Sequence, residues 1–242
     1  MKRYGLIGYP LSHSFSKNYF EEKFRQQGIS HCTYELFPIA SINELSNLLN
    51  LYPDLCGLNV TIPYKQQVIP LLHSTQHLPA GLDACNCIRI DDGRLSGYNT
   101  DIIGFEKSFT PLLQEHHQRA LVLGSGGAAS AVTFVLKKLG IDYLVVSRTR
   151  SATAISYADV SESLIATHHI IINTTPVGMY PNVDSYPVLP YHAISPQHYL
   201  FDLHYNPAKT KFLQMGEERG ASIKNGYEML VIQAEESWKI WK

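Results

Sequence analysis

The 242-residue chain lacks any excess of charge: 20 lysines and arginines stand against 21 acids, beside 11 histidines. A polyanion-binding surface therefore has no footing in composition, and nucleic acid and acidic membranes are poor partner expectations. No run of ~18 apolar residues is present to span a bilayer. The first residues, Met1-Lys2-Arg3-Tyr4-Gly5-Leu6-Ile7-Gly8, reach a turn before a signal-peptide core can form. Cysteine is scarce. Cys32, Cys56, Cys85 and Cys87 have neither a disulfide framework nor zinc-ribbon spacing, and no second Cys or His pair accompanies Cys85-Asn86-Cys87. Reduced thiols in the cytoplasm, and no metal, are the expectation. Internal repeats and low-complexity linkers are also missing.

What is present is core-forming material. Apolar residues make up 45% and charged ones 17%, enough for one large domain or two small ones. Short apolar runs alternate with helical patterns, the mark of an α/β protein. Strands are expected at 4–8, 33–37 and 56–61, with a helix over roughly 16–27 between the first two. Ser41 and Glu44 form a capping-box pair that starts a helix to about Leu49. Pro63 suits the first turn of the helix after the third strand. Segments 87–90 and 94–98 flank Asp91-Asp92-Gly93, and Asp-Gly favours the left-handed backbone of a tight hairpin turn. The second half predicts a helix over 102–113, strands at 120–123, 143–146, 170–173 and 199–203, and helices over 128–139 and 227–241. A division near residue 100 follows: a first domain over 1–100, a second over 101–225, and a last helix, 226–242, folding back onto the first.

Leu121-Val122-Leu123-Gly124-Ser125-Gly126-Gly127-Ala128-Ala129 fits strand, G-x-G-x-x-A, then helix. In such a loop Gly124 permits the tight turn, Gly126 lets backbone approach a pyrophosphate, and Ala129 allows close helix–strand packing. The helix N-terminus adds unpaired N–H groups and partial positive charge. A purely structural glycine turn is the plainer alternative. An NAD site wants an acid about 20 residues on, at the end of the next strand, to bind the ribose hydroxyls. Here that place reads Val145-Val146-Ser147-Arg148-Thr149-Arg150, with no carboxylate and two guanidiniums able to clamp a 2′-phosphate. NADP is favoured over NAD.

Three polar clusters mark the first half. Ser12-His13-Ser14-Phe15-Ser16 puts hydroxyls after the first strand, where they bind a carboxylate or simply cap a helix. Asn59-Val60-Thr61-Ile62-Pro63-Tyr64-Lys65 delivers Asn59 and Thr61 on one side of a strand and Lys65 in a first helical turn, a place the helix dipole disfavours for a cation. Asn99-Thr100-Asp101 places an acid just after a hairpin strand, where Thr100 or Asp101 can equally serve as a cap.

Taken in order, these stretches resemble the shikimate dehydrogenase family from near residue 4 to about residue 235. Further matches are Asn86, Ser147-Arg148-Thr149, Asn173-Thr174-Thr175-Pro176-Val177-Gly178-Met179, 202–210 and 225–234. Each segment is weak to moderate alone; their collinearity is strong. The resemblance implies an N-terminal α/β substrate domain, a C-terminal Rossmann-type NADP-binding domain, and a cleft between them. It implies that Lys65 and Asp101 form the catalytic pair at a substrate hydroxyl, and that Ser14 and Ser16 hold a carboxylate. Thr61, Asn86, Tyr205 and Gln233 would add hydrogen bonds to the substrate. Gly124, Ser125, Gly126, Gly127, Ala128, Ser147, Arg148, Thr149, Leu203 and Gly226 would surround NADP, with Asn173 and Thr174 weaker candidates.

The implied activity is reversible reduction of 3-dehydroshikimate to shikimate, a step toward chorismate and the aromatic amino acids, by a monomer or homodimer with a small-molecule substrate. The chain departs from the family pattern at Lys17, Ser147, Cys85, Cys87 and Leu203-His204, and it is shorter than is usual. His204 and Cys85 leave substrate preference open. The rival expectations are a quinate-active enzyme of the same fold and a non-catalytic metabolite sensor.

Overall fold

The computed structural model describes residues 1–11 and 15–242. Its strands and helices, in chain order, are β1 (Lys2–Gly8), α1 (Phe15–Gln26), β2 (Cys32–Pro38), α2 (Leu45–Leu51), β3 (Leu55–Val60), α3 (Tyr64–Gln67), β4 (Cys87–Asp91), β5 (Arg94–Tyr98) and α4 (Asp101–Phe109). There follow β6 (Arg119–Leu123), α5 (Gly127–Lys138), β7 (Asp142–Ser147), β8 (Ile155–Ser156), α6 (Glu162–Thr167), β9 (Ile170–Asn173), β10 (Tyr199–Asp202), α7 (Lys211–Glu217), β11 (Ser222–Lys224) and α8 (Tyr227–Trp241). The chain forms two compact units, Met1–Ile103 with Leu230–Lys242, and Gly104–Met229. Both junctions fall inside helices, α4 and α8.

The first unit is a mixed sheet of order β2-β1-β3-β4-β5, parallel through its first three strands and antiparallel at β3–β4 and β4–β5. Side-chain alternation along β1 sends Tyr4 and Leu6 to one core and Ile7 to the other. The first core is aromatic. Phe20 and Phe24, one helical turn apart on α1, meet Trp238 and Trp241 of α8 over Tyr4 and Tyr34. Trp241 stacks on Tyr4 with ring centroids 5.0 Å apart, and its indole N–H donates to the Ile88 carbonyl at 2.9 Å. The second core gathers Phe37, Leu45, Leu48, Leu58 and Val68.

Local chemistry sets the connections. The Ser41–Glu44 box forms, and it opens a 3₁₀ turn, Ile42–Glu44, that runs into α2. The β4–β5 turn is Asp92-Gly93, with φ of 48° and 74°, the left-handed pair a type I′ turn demands. Helix α4 stops at Phe109 rather than near Leu113, because Pro111 tightens the chain into a 3₁₀ turn, Thr110–Leu112.

The second unit is an all-parallel sheet of order β11-β10-β9-β6-β7-β8, whose strand order reverses between β6 and β9. That reversal opens a crevice at the carboxyl ends of β6 and β9, where doubly wound folds bind ligands. Leu121, Leu123, Ile171 and Leu200 fill the core, as expected of strands covered on both faces. Strands β8 and β11 and helices α6 and α7 were not foreseen, since two to seven residues are too few to show a period. No helix among the described residues is long and apolar enough to cross a membrane.

Candidate active site

Strand β3 ends at Val60, and Thr61 follows with its N–H on the Ile7 carbonyl at 3.0 Å. A turn through Pro63 leads into α3, whose four residues are too few to carry a useful dipole. Lys65 therefore takes its stabilisation from a side chain. Its Nζ lies 2.7 Å from Asp101 Oδ2, with only 16% and 9% of the two side chains exposed. Backbone fixes the approach: Cys85 N–H donates to the Lys65 carbonyl at 2.7 Å, and the chain then crosses to Asn86, whose N–H bonds the Tyr98 carbonyl. Asp101 opens α4, where a carboxylate is favoured, yet it is not the cap. That task falls to Asn99, whose Oδ1 accepts from Ile102 N–H at 3.2 Å, leaving Asp101 to the lysine. A sheltered ammonium–carboxylate pair of this kind can polarise an oxygen and exchange a proton with it.

Behind the pair lies a buried polar network. Asn86 Oδ1 accepts from Thr100 N–H at 2.6 Å and its Nδ2 donates to Thr100 Oγ1 at 3.0 Å, so one amide N–H remains for a ligand. Gln233 is buried on α8, with its Nε2 on the Leu230 carbonyl at 3.1 Å and its Oε1 turned toward Thr100. Asn59 bridges Tyr34 and Ser237 at 2.8 and 2.9 Å. Tyr34 and Ser237 were not anticipated as part of this cluster. Ser237 was legible in one respect, because it lies one turn after Gln233 on the same helix face. Ser16 is the second residue of α1, and its hydroxyl bears on the Tyr34 phenol, which burial holds well above its usual range. Ser14 lies outside the described residues. Burial also pushes the Cys85 thiol up to about 11 and the Cys87 thiol higher still, so both stay protonated and neither is a nucleophile.

In the second unit, β6 runs into Gly124 at φ 108°, a conformation that resists any other residue; a Cβ there would lie 2.6 Å from Thr174 Oγ1. Around Gly126 nothing stands within 4 Å of where a Cβ would be, so its backbone faces open space. Ser125, Gly127 and Ala128 complete a loop in which no side chain caps α5, whose first N–H groups are left for an anion such as a pyrophosphate. β7 ends on Ser147, whose hydroxyl donates to the Thr149 carbonyl. Arg148 is exposed and has no ion-pair partner among the described residues, whereas Arg150 is drawn to Asp159 at 3.7 Å. The absence of an acid here and the free guanidinium suit a 2′-phosphate, so the donor set fits NADP.

Asn173 and Thr174 are otherwise engaged. Asn173 binds Val177 O, Asp202 and Thr175, and Thr174 Oγ1 donates to the Leu123 carbonyl at 2.7 Å, so both brace the loops around the glycine turn. The fully buried Asp202 gathers Asn173, Thr210 and the His204 N–H, and His204 Nδ1 stands 3.1 Å from it. Leu203 and Gly226 meet directly: a Cβ on Gly226 would lie 2.0 Å from the Leu203 carbonyl oxygen, and Gly226 N–H donates to His204 O at 2.8 Å. Tyr205 follows, half-buried, its phenol raised by burial.

Residues 6–88 match the model of the shikimate dehydrogenase substrate-binding domain. A Staphylococcus aureus protein named shikimate dehydrogenase (NADP(+)) is 34% identical over 99% of this chain and 92% of its own length. The chain belongs to the shikimate dehydrogenase family. The crystal structure of shikimate dehydrogenase from Aquifex aeolicus superposes with a TM-score of 0.88 at 32% identity, covering 100% of this chain and 92% of that one. Quinate dehydrogenase from Corynebacterium glutamicum, in complex with NAD, superposes with a TM-score of 0.86 at 27% identity, covering 100% and 93%.

Proposed function

We propose that this chain is an NADP-dependent shikimate dehydrogenase, interconverting 3-dehydroshikimate and shikimate, with residues 1–103 and 230–242 holding the substrate and 104–229 the cofactor. The 2.7 Å pairing of Lys65 with Asp101 carries the reading. When bound, NADPH supplies the hydride that turns a carbonyl carbon into a carbinol. Negative charge gathers on the carbonyl oxygen as the carbon is reduced, and the Lys65 ammonium neutralises it and delivers the proton. In the oxidative direction the neutral amine takes that proton back. Asp101 orients the ammonium and balances its charge throughout. Ser14 and Ser16 hold the ring carboxylate, and Thr61, Asn86 and Gln233, joined by Tyr205 as the one substrate contact from 104–229, serve the ring carboxylate and hydroxyls. Ser125, Gly127, Ala128, Thr149, Leu203 and Gly226 line the cofactor, and Arg148 with Ser147 meets its 2′-phosphate.

Quinate oxidation is the second reading, supported by the likeness to quinate dehydrogenase. Initial rates with shikimate and quinate, each paired with NADP and NAD and followed by the absorbance of reduced nicotinamide, separate the two. Turnover with shikimate and NADP at least tenfold above every other pair is expected. Faster turnover of quinate, or of NAD, overturns the assignment, and no turnover with any pair supports the sensor.

A further inference from the structure

Helix α8 carries one fully buried hydroxyl that the proposed chemistry leaves unused, Ser237. It donates back to the Gln233 carbonyl at 2.9 Å, as buried helical serines do. Its oxygen reaches further: Asn59 Nδ2 lies 2.9 Å away and Thr100 Oγ1 3.2 Å. With that single proton on the Gln233 carbonyl, the Ser237 oxygen is left to accept from both Asn59 and Thr100. The directions then propagate. Asn59 Oδ1 accepts from the Tyr34 phenol at 2.8 Å, and its remaining amide proton goes to the Asn86 carbonyl at 3.3 Å. A single oxygen on α8 thereby orders donors from β2, β3 and the segment before α4.

Thr100 is where this bears on the site. Its hydroxyl proton has three acceptors within reach: Ser237 Oγ at 3.2 Å, Asn86 Oδ1 at 3.3 Å and Gln233 Oε1 at 3.5 Å. With the proton on Ser237, the lone pairs of Thr100 hold the Asn86 amide nitrogen, and Gln233 Oε1 stays unclaimed. Gln233 cannot turn its amide round, because Nε2 is held by the Leu230 carbonyl.

We propose that Ser237 is a positioning residue: by drawing the Thr100 proton, it leaves Gln233 Oε1 as an acceptor and one Asn86 amide N–H as a donor for the hydroxyls of a polyhydroxylated ring. The inference rests on the substrate being such a ring, as proposed above. The test is Ser237→Ala, read by KM and kcat for shikimate, KM for NADP, calorimetric binding of shikimate to the cofactor-free protein, and thermal melting. KM and Kd for shikimate should rise about 5–30-fold, the loss of one or two neutral hydrogen bonds, with kcat and the KM for NADP within about twofold.

Ser237→Cys keeps the volume but bonds weakly through sulfur, and it should bind shikimate like the alanine variant; excess reductant is needed because the Cys87 thiol adjoins this position. It also serves if the alanine variant does not fold. A lowered melting temperature with unchanged shikimate affinity makes Ser237 merely structural and overturns the proposal. Wild-type affinity in the cysteine variant, or equal losses in kcat and both KM values, does the same. Failure of the reading beneath it shows separately, as wild-type protein that neither binds nor oxidises shikimate.

Discussion

Replacing Asp101 by asparagine preserves shape and removes one charge from a sheltered pair. At 2.7 Å and an effective dielectric near 20, the gross attraction between the Lys65 ammonium and the Asp101 carboxylate is about 6 kcal/mol. Much of that offsets the cost of taking both ions from water, so the whole pair is worth far less than its attraction. Removing one partner is different, since the other charge stays behind uncompensated, at a cost of about 3–5 kcal/mol. The lower end applies here, because 16% of the lysine side chain still meets water. Asp101→Asn should therefore lose about 3 kcal/mol in urea unfolding, while Lys65→Met combined with Asp101→Asn, which leaves no orphan charge, should return to within about 1 kcal/mol of wild type. Both single variants should lose about 10²–10⁴ in kcat for shikimate oxidation, and the double variant should lose no more than the worse of them. Stability effects that add within about 0.5 kcal/mol, with wild-type kcat in Asp101→Asn, would refute the reasoning.

The cofactor assignment predicts that Arg148→Ala raises the KM for NADP about 10–100-fold, the loss of a charge-assisted bond to phosphate, and moves the KM for NAD less than twofold. Arg150→Ala, whose guanidinium already leans on Asp159, should do less in steady-state assays. Acid should weaken the second unit through its histidines. His117 Nδ1 accepts from Gln114 N–H and His198 Nδ1 from Ser195 N–H, both at 3.0 Å, while their Nε2–H groups donate to Gln197 O and Ile165 O. An imidazolium has no acceptor to offer those N–H groups, and burial lowers both pKa values, as it does for His168. The folded-state pKa lies below the unfolded one, so this stability is fully present above about pH 6.5 and is lost as pH falls through the folded-state values. Each group can contribute at most about 2 kcal/mol of loss at pH 5, and urea midpoints measured from pH 8 to pH 5 should fall less steeply in His117→Gln with His198→Gln. Parallel curves for wild type and that variant would count against the account.

The glycine loop, the capping box and the Asp92-Gly93 turn were legible because each depends on neighbours within a few residues, where φ preferences and hydrogen-bond reach are properties of the local sequence. The missing acid after β7 was legible for the same reason, and it bears on the cofactor. Elements of two to seven residues, such as β8 and α7, left no period to read. Asn99, not Thr100 or Asp101, proved to be the cap of α4, a choice among adjacent candidates that only backbone geometry makes.

By itself, then, the order of residues determined the α/β class, the dinucleotide turn and the list of polar groups available for chemistry. Tertiary structure decided which of them meet. Lys65 and Asp101 are 36 positions apart, and Asn59 and Ser237 are 178 apart. Local preference says nothing at that range, because such contacts are set by how strands pair and how α8 packs its tryptophans on the sheet.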